Sequence, residues 1–168
     1  MTEAPYWRQP TNFSEPVRYA HGPDSFRQPG VPQGAVSEHA WRTSRMFPGT
    51  ERRYWVYVPA QYTESEPAAL MVFQDGRLYL DPEGEMRVPI VFDNLIHRGE
   101  LPVTIGVFVD PGAETRNAEY DPFDDAYATF LLTEILPSVH DRYAITDDPD
   151  RSAIGGGSSG GSCAFTAA

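Results

Sequence analysis

Apolar and polar residues change rhythm several times along the chain, and each change predicts an element. From Ala35 onward, Val36, Glu38, Ala40, Arg42 and Ser44 alternate with Ser37, His39, Trp41 and Thr43. A period of two is what a half-buried strand imposes, because successive side chains leave it on opposite faces. Phe47-Pro-Gly-Thr50 then supplies a turn, and Arg53-Tyr-Trp-Val-Tyr-Val58, rich in aromatic and β-branched residues, predicts a second strand that Pro59 ends. The two make an antiparallel hairpin. Ala69-Leu-Met-Val-Phe73 is unbroken apolar sequence of strand length, which predicts a strand covered on both faces. Val91, Phe92, Leu95 and Ile96 recur at helical spacing in a segment running to Arg98, with Gly99 as the stop. Val103–Val109 is the next buried strand. Asp124 to about Val139 carries Tyr127, Phe130, Leu131, Glu134 and Ile135 at helical spacing behind an acidic first turn, and Pro137 is expected to disturb its end. Ser152-Ala-Ile154 follows the turn-rich Thr146–Asp150 as a final strand, and the small apolar Cys163–Ala168 suits a helix packed on a sheet. A hairpin followed by β-α-β-α-β-helix is the order of an α/β protein with a mostly parallel sheet. Right-handed crossovers place the last strand-to-helix turn at the carboxyl edge of that sheet, where ligands bind.

Residues 1–34 are different. Pro5, Pro10, Pro16, Pro23, Pro29 and Pro32, with Gly22, Gly30 and Gly34, forbid long helices and predict an extended arm. Trp7, Phe13, Tyr19 and Phe26 punctuate the arm, so it is expected to lie against the rest, residues 35–168, read as part of one domain. With 40% hydrophobic and 12% aromatic residues there is enough apolar material for a core. A net charge of −11 argues against nucleic acid and anionic membrane as partners. No apolar run reaches the roughly 20 residues of a membrane span, and the N-terminus lacks the basic start and apolar stretch of a signal peptide. The single cysteine, Cys163, excludes an intramolecular disulfide and reads as a small core residue. These features point to a cytoplasmic setting.

The chemistry concentrates in Gly155-Gly-Gly-Ser-Ser-Gly-Gly-Ser162. Gly156-Gly-Ser158-Ser-Gly160 fits G-x-S-x-G, the pattern of a serine nucleophile on a tight strand-to-helix elbow, where small flanking residues let strand and helix approach. A glycine-serine run is also the composition of a flexible linker, but a linker would not be followed by a buried helix. A phosphate-binding loop would close with Lys-Ser or Lys-Thr, which this run lacks. The serine needs a histidine and an acidic partner, which follow it in chain order in this arrangement. Ten residues follow Ser158 and none is His, Asp or Glu; His21, His39, His97 and His140 all precede it. His97 and His140 read as helix-end or surface residues. Asp147, Asp148 and Asp150 are spaced for calcium but lack the glycine and distal glutamate of an EF-hand loop, so they read as a solvated turn, and Asp121, Asp124 and Asp125 as helix caps.

Four segments, Tyr54-Trp-Val-Tyr-Val-Pro59, Val72-Phe-Gln-Asp-Gly76, Arg116-Asn-Ala-Glu-Tyr-Asp121 and the Gly156–Gly161 turn, occur in the order found in the α/β-hydrolase esterases of the enterochelin esterase and esterase D group, which the chain resembles over roughly residues 35–168. The resemblance implies a three-layer α/β-hydrolase sandwich, cut after the nucleophile elbow, and hydrolysis of a small-molecule carboxylic ester through an acyl-serine, with no metal or organic cofactor. It implies Ser158 as nucleophile and the backbone N–H groups of Ser159 and Arg77 as oxyanion donors. Asp75-Gly76 is then the turn that brings Arg77 close, against the plainer reading of an ordinary turn. Arg116 and Glu119 match the R-x-x-E segment, read either as an ion pair ordering the loop or as substrate contacts. The family pattern continues for on the order of 100 residues, so the histidine and acid are expected in a missing C-terminal half or from a dimer partner. The 168 residues alone are expected to be weak or inactive. An acyltransferase of the same fold and a non-catalytic interaction module stay open beside the hydrolase.

Overall fold

The computed structural model describes residues 20–168. Five strands form one sheet: β1 (Ala35–Trp41), β2 (Arg52–Val58), β3 (Ala69–Gln74), β4 (Thr104–Val109) and β5 (Ser152–Gly155). Their order in space is β1-β2-β4-β3-β5. β2 pairs antiparallel with both β1 and β4, while β4–β3 and β3–β5 are parallel, so β2 alone runs against the other four. The expected hairpin forms, with Thr50 N–H donating to the Phe47 carbonyl across the turn at 3.3 Å. Its first strand is shorter than the alternation suggests. Residues 42–51 leave the sheet because Glu134 accepts the N–H groups of Arg45 and Met46, both at 2.9 Å, and draws this segment onto a helix.

The period of two sorts side chains to two buried faces. Tyr54, Val56, Leu70, Val72, Ile105, Val107 and Val109 face one cluster; Trp55, Tyr57, Phe73 and Phe108 face the other. The second face is covered by α1 (Gly76–Leu80) and α2 (Val88–His97), through Tyr79, Val88, Phe92 and Ile96. The first is covered by α3 (Arg116–Tyr120), α4 (Ala126–Phe130), α5 (Leu136–His140) and α6 (Ser159–Ala167). The result is helices on both faces of one sheet.

The long helix predicted from Asp124 exists as α4 and α5 joined by a π-turn, Leu131–Ile135. Leu136 N–H reaches back five residues to the Leu131 carbonyl. Pro137 has no N–H to give, and its ring crowds the carbonyl four residues back, so the helix widens ahead of the proline rather than ending at it. α2 begins a turn earlier than its apolar spacing suggests, with Pro89 in its first turn. Gly99 ends it at φ 72°, its N–H on the Ile96 carbonyl. The short helices α1 and α3 have no counterpart among the elements the sequence pattern predicts, since five residues carry too little periodicity to register.

Of the expected arm, residues 1–19 with Trp7, Phe13 and Tyr19 lie outside the described residues. The remainder is tied to α2: Asn94 donates its amide to the carbonyls of Asp24 and Phe26 at 2.9 and 2.8 Å, and Asp93 accepts the Gly34 N–H at 2.8 Å. Phe26 itself is half exposed.

Candidate active site

β5 runs parallel to β3 and turns sharply into α6, and Ser158 is the residue at the bend. Its backbone sits at φ 53°, ψ −126°. A non-glycine residue pays about 1–3 kcal/mol for such a conformation, which persists only where the surroundings enforce it. The two outer glycines of the motif do the enforcing: a Cβ on Gly156 would run into the backbone carbonyl of Gly160. The strand and the first helical turn touch there, backbone to backbone, and the serine is left exposed between them. Ser159 opens α6, so its N–H falls among the amides that no helical carbonyl can reach.

Beside this bend lies the carboxyl end of β3. Asp75 follows it in the left-handed region, φ 56°, ψ 45°. Three contacts hold it there. Arg116 donates from Nε and Nη2 to the two carboxylate oxygens, both at 2.7 Å, and Asp75 N–H donates to the Tyr120 hydroxyl at 3.2 Å. Gly76 comes next because nothing larger fits: a Cβ would lie 2.5 Å from the Phe108 carbonyl carbon and 2.6 Å from the Val109 nitrogen. Arg77 N–H, the second expected oxyanion donor, is already committed, donating to Asp110 Oδ1 at 3.0 Å.

A cleft of about 1020 Å³ opens over these groups. Asp75, Arg77, Arg116 and Ser158 line it, so four of the residues singled out in the sequence converge. Tyr79, Trp55 and Arg53 line it as well; Arg53 and Trp55 read from the sequence only as members of a strand, and Tyr79 carried no signal. Burial raises the Tyr79 hydroxyl above the ordinary tyrosine range, and the Asp75 carboxylate adds to the rise.

Glu119 is elsewhere. It is buried, paired with the equally buried Arg52 of β2, and accepts further bonds from Gly112 N–H at 3.0 Å and the Thr115 hydroxyl. The R-x-x-E segment is therefore not an internal ion pair: Arg116 reaches Asp75 and Glu119 reaches Arg52, from successive turns of α3. Tyr120, four residues after Arg116 and under its guanidinium at 5.2 Å, is a site residue that sequence reasoning missed.

None of the four histidines lines the cleft with Ser158. His39 stacks on Tyr54 with ring centroids 4.9 Å apart and meets Ser37 and Arg142. His97 and His140 are exposed helix ends, and His21 Nε2 meets the Glu85 carbonyl. Among the described residues no group of three or more His, Cys, Asp or Glu side chains is placed to hold a metal ion. Asp148 instead accepts the Asp150 N–H and caps a 3₁₀ turn, and Asp124 accepts Ala126 N–H at the start of α4. No helix among the described residues is long and apolar enough to cross a membrane.

The family described as "Putative esterase" matches residues 44–168. The chain belongs to this family. It is 29% identical over 139 residues to the iron(III) enterobactin esterase of Escherichia coli K12, an overlap covering 83% of this chain and 33% of that one. The corresponding esterase of Dickeya dadantii is 28% identical over 128 residues, 76% of this chain and 28% of that one. Among solved structures, the ferric enterobactin esterase of Salmonella typhimurium superposes with a TM-score of 0.70 at 25% identity, covering 90% of this chain and 38% of that one. The enterobactin esterase of Shigella flexneri gives 0.68 at 27%, covering 84% and 34%. A ferulic acid esterase from Anaeromyces mucronatus, at 21% identity and 0.58, shares the fold. The fold is thus that of the α/β-hydrolase esterases, as the four segments led us to expect, and the chain spans about a third of the length of the curated relatives it matches.

Proposed function

We propose that this chain carries the nucleophile of a serine carboxylic ester hydrolase. The observation that supports the reading is Ser158 itself, held at φ 53° on a strand-to-helix bend where a side chain on Gly156 would strike the backbone of Gly160, and exposed beside the cleft. In this reading the bend is a nucleophile elbow. The Ser158 hydroxyl gives up its proton to a general base as its oxygen attacks the ester carbonyl. The carbonyl oxygen, now negative, is held by Ser159 N–H and by Arg77 N–H, a pair of donors whose loss one at a time typically costs roughly 10²–10³ in kcat. Collapse expels the alcohol and leaves an acyl-serine, which water clears by the same route in reverse.

The substrate class is a small-molecule ester. Relatives named as enterobactin esterases favour a bulky ester, and so does a cleft that combines Trp55, Tyr79 and Leu78 with Arg77 and Arg116. The base and its acidic partner come from outside these 168 residues, since a serine nucleophile needs a neutral imidazole at hydrogen-bond distance and His39, His97, His140 and His21 are engaged or exposed elsewhere. Treating the purified chain with a fluorophosphonate and with p-nitrophenyl acetate tests this. Covalent labelling that is slow for want of the base, confined to Ser158 and lost in Ser158→Ala, with ester turnover far below that of ordinary esterases, is expected. Labelling that survives Ser158→Ala would overturn the nucleophile assignment, and Ser158-dependent turnover at ordinary esterase rates would overturn the external base.

A further inference from the structure

The amide assigned to the oxyanion is occupied. Arg77 N–H donates to Asp110 Oδ1 at 3.0 Å. The reason lies in how α1 begins. Asp75 holds the N-cap position, but it is in the left-handed region and both its carboxylate oxygens are taken by Arg116, so it makes no side-chain cap. The helix start still has N–H groups without intrahelical partners. Asp110 follows β4, which neighbours β3 in register from Ala69↔Thr104 to Gln74↔Val109, so its carboxylate reaches across and caps α1 from the adjacent strand. Its own N–H donates to the Arg53 carbonyl at 3.0 Å, which fixes where its side chain starts.

A cap in that place has a chemical consequence. One N–H cannot hold a carboxylate and a developing alkoxide at full strength, and two anions on one donor repel each other. We propose that Asp110 is a gate on the oxyanion site: its ionised carboxylate holds the Arg77 amide in the resting state, and the site becomes competent when the carboxylate swings away or takes up a proton. Asp110 is a positioning residue acting through Arg77, and the inference rests on the esterase reading given above.

The surroundings suit a group that has to let go. Asp110 is only partly exposed, and burial raises its carboxyl above the ordinary aspartate value; the Arg77 N–H and the Arg77 and Arg53 cations oppose that rise, and Asp75 adds to it. Arg53, on β2, is paired with Glu38 at 3.6 Å and lies over the Trp55 ring at 5.5 Å, contacts that keep its cation near Asp110. Arg77, Arg53 and Asp75 all line the same cleft, so a substrate that enters it displaces the water around the gate.

Two measurements test the gate separately from the esterase reading. In the ¹⁵N-labelled chain, the Arg77 amide proton should shift as Asp110 titrates, and Asp110→Asn should abolish that shift. An Arg77 amide that ignores pH would overturn the gate. Second, the rate of Ser158 labelling by a fluorophosphonate should rise about tenfold at neutral pH in Asp110→Asn, the difference between a charge-assisted and a neutral hold on one N–H. Asp110→Ala, read beside it, should also label faster. The variant-to-parent ratio should fall toward one as acid neutralises Asp110 in the parent, a pH profile that a purely structural cap would not produce. Equal or slower labelling in both variants, in chains that circular dichroism reports as folded, would overturn the gate. If Ser158 is not labelled in any of the three chains, the esterase reading falls and takes the gate with it, even where the amide titrates.

Discussion

Removing the carboxylate of Glu119 should unfold this chain more readily than removing any exposed charge. Glu119 and Arg52 have side chains 1% and 0% exposed, and the guanidinium sits over the Phe130 and Phe47 rings at 4.4 and 5.2 Å. Glu119→Ala therefore leaves a cation among aromatic rings with Thr50 as its remaining oxygen partner, through Nη2 at 2.8 Å. Stranding one member of a buried pair costs about 3–5 kcal/mol. The Gly112 N–H loses its acceptor in the same step and adds to the loss. At roughly 2–4 °C per kcal/mol for a domain of this size, the melting temperature should fall by on the order of 10 °C. Urea unfolding followed by tryptophan fluorescence measures the free energy directly. The companion chain Arg52→Met/Glu119→Leu removes both charges and should recover most of the loss, since a buried pair replaced by apolar side chains is often neutral. A single variant within about 1 kcal/mol of the parent, or a double variant no more stable than the single, would refute the reasoning.

Gly76→Ala should destabilise by about 1–3 kcal/mol or more, because its Cβ would meet backbone atoms of Phe108 and Val109 that cannot yield, while Gly157→Ala, whose nearest neighbour would be the Tyr79 hydroxyl at 3.6 Å, should stay within about 1 kcal/mol; thermal melts of the pair compare them. Burial, with Glu119, Asp75 and Asp121 adding, pushes the Cys163 thiol up to about 12, so at pH 8 this sole cysteine should resist a thiol reagent until guanidinium unfolds the chain. Fast modification of the folded chain would contradict that. For Glu134, burial opposes ionisation, but Met46 N–H, the Trp41 indole, the Ser44 hydroxyl and Arg45 N–H outweigh it and hold the carboxyl below its ordinary 4.5. A depressed folded value means stability that is present above about pH 4.5 and lost as pH falls through the folded value. Glu134→Gln should thus melt lower than the parent at pH 7, with the gap closing toward pH 3; a gap independent of pH would count against the assignment.

The sheet was legible because its causes are local. Alternation at Val36–Trp41 and unbroken apolar runs at Ala69–Phe73 and Thr104–Val109 specify strands whatever lies around them, and the glycines around Ser158 specify the bend. The wiring of the site was not legible, because its partners are far apart in sequence. Asp75 meets Arg116 across 41 residues, Arg52 meets Glu119 across 67, and Arg77 meets Asp110 across 33. No spacing rule announces such pairs. The two short helices that create them, α1 and α3, have no periodicity of their own to detect.

Within α3 the physics joins what the sequence kept apart. On this one five-residue helix, Glu119 turns inward to a cation that is sunk in the core, and Arg116 turns outward to the aspartate beside the bend. The inner bond is fully desolvated and is made by a strand residue that cannot move without disrupting β2. The outer bond, with Arg116 35% exposed, is weaker and more readily exchanged. A rigid inner contact and a labile outer one on the same short helix hold Asp75 in its left-handed conformation while leaving the guanidinium accessible to the cleft. Loosening the inner bond should then be felt at Asp75, so in Glu119→Gln the backbone amide resonances of Asp75 and Gly76 should broaden or shift even though no atom beside them has changed. Resonances at Asp75 that stay fixed while those of Gly112 move would show that α3 does not transmit the change.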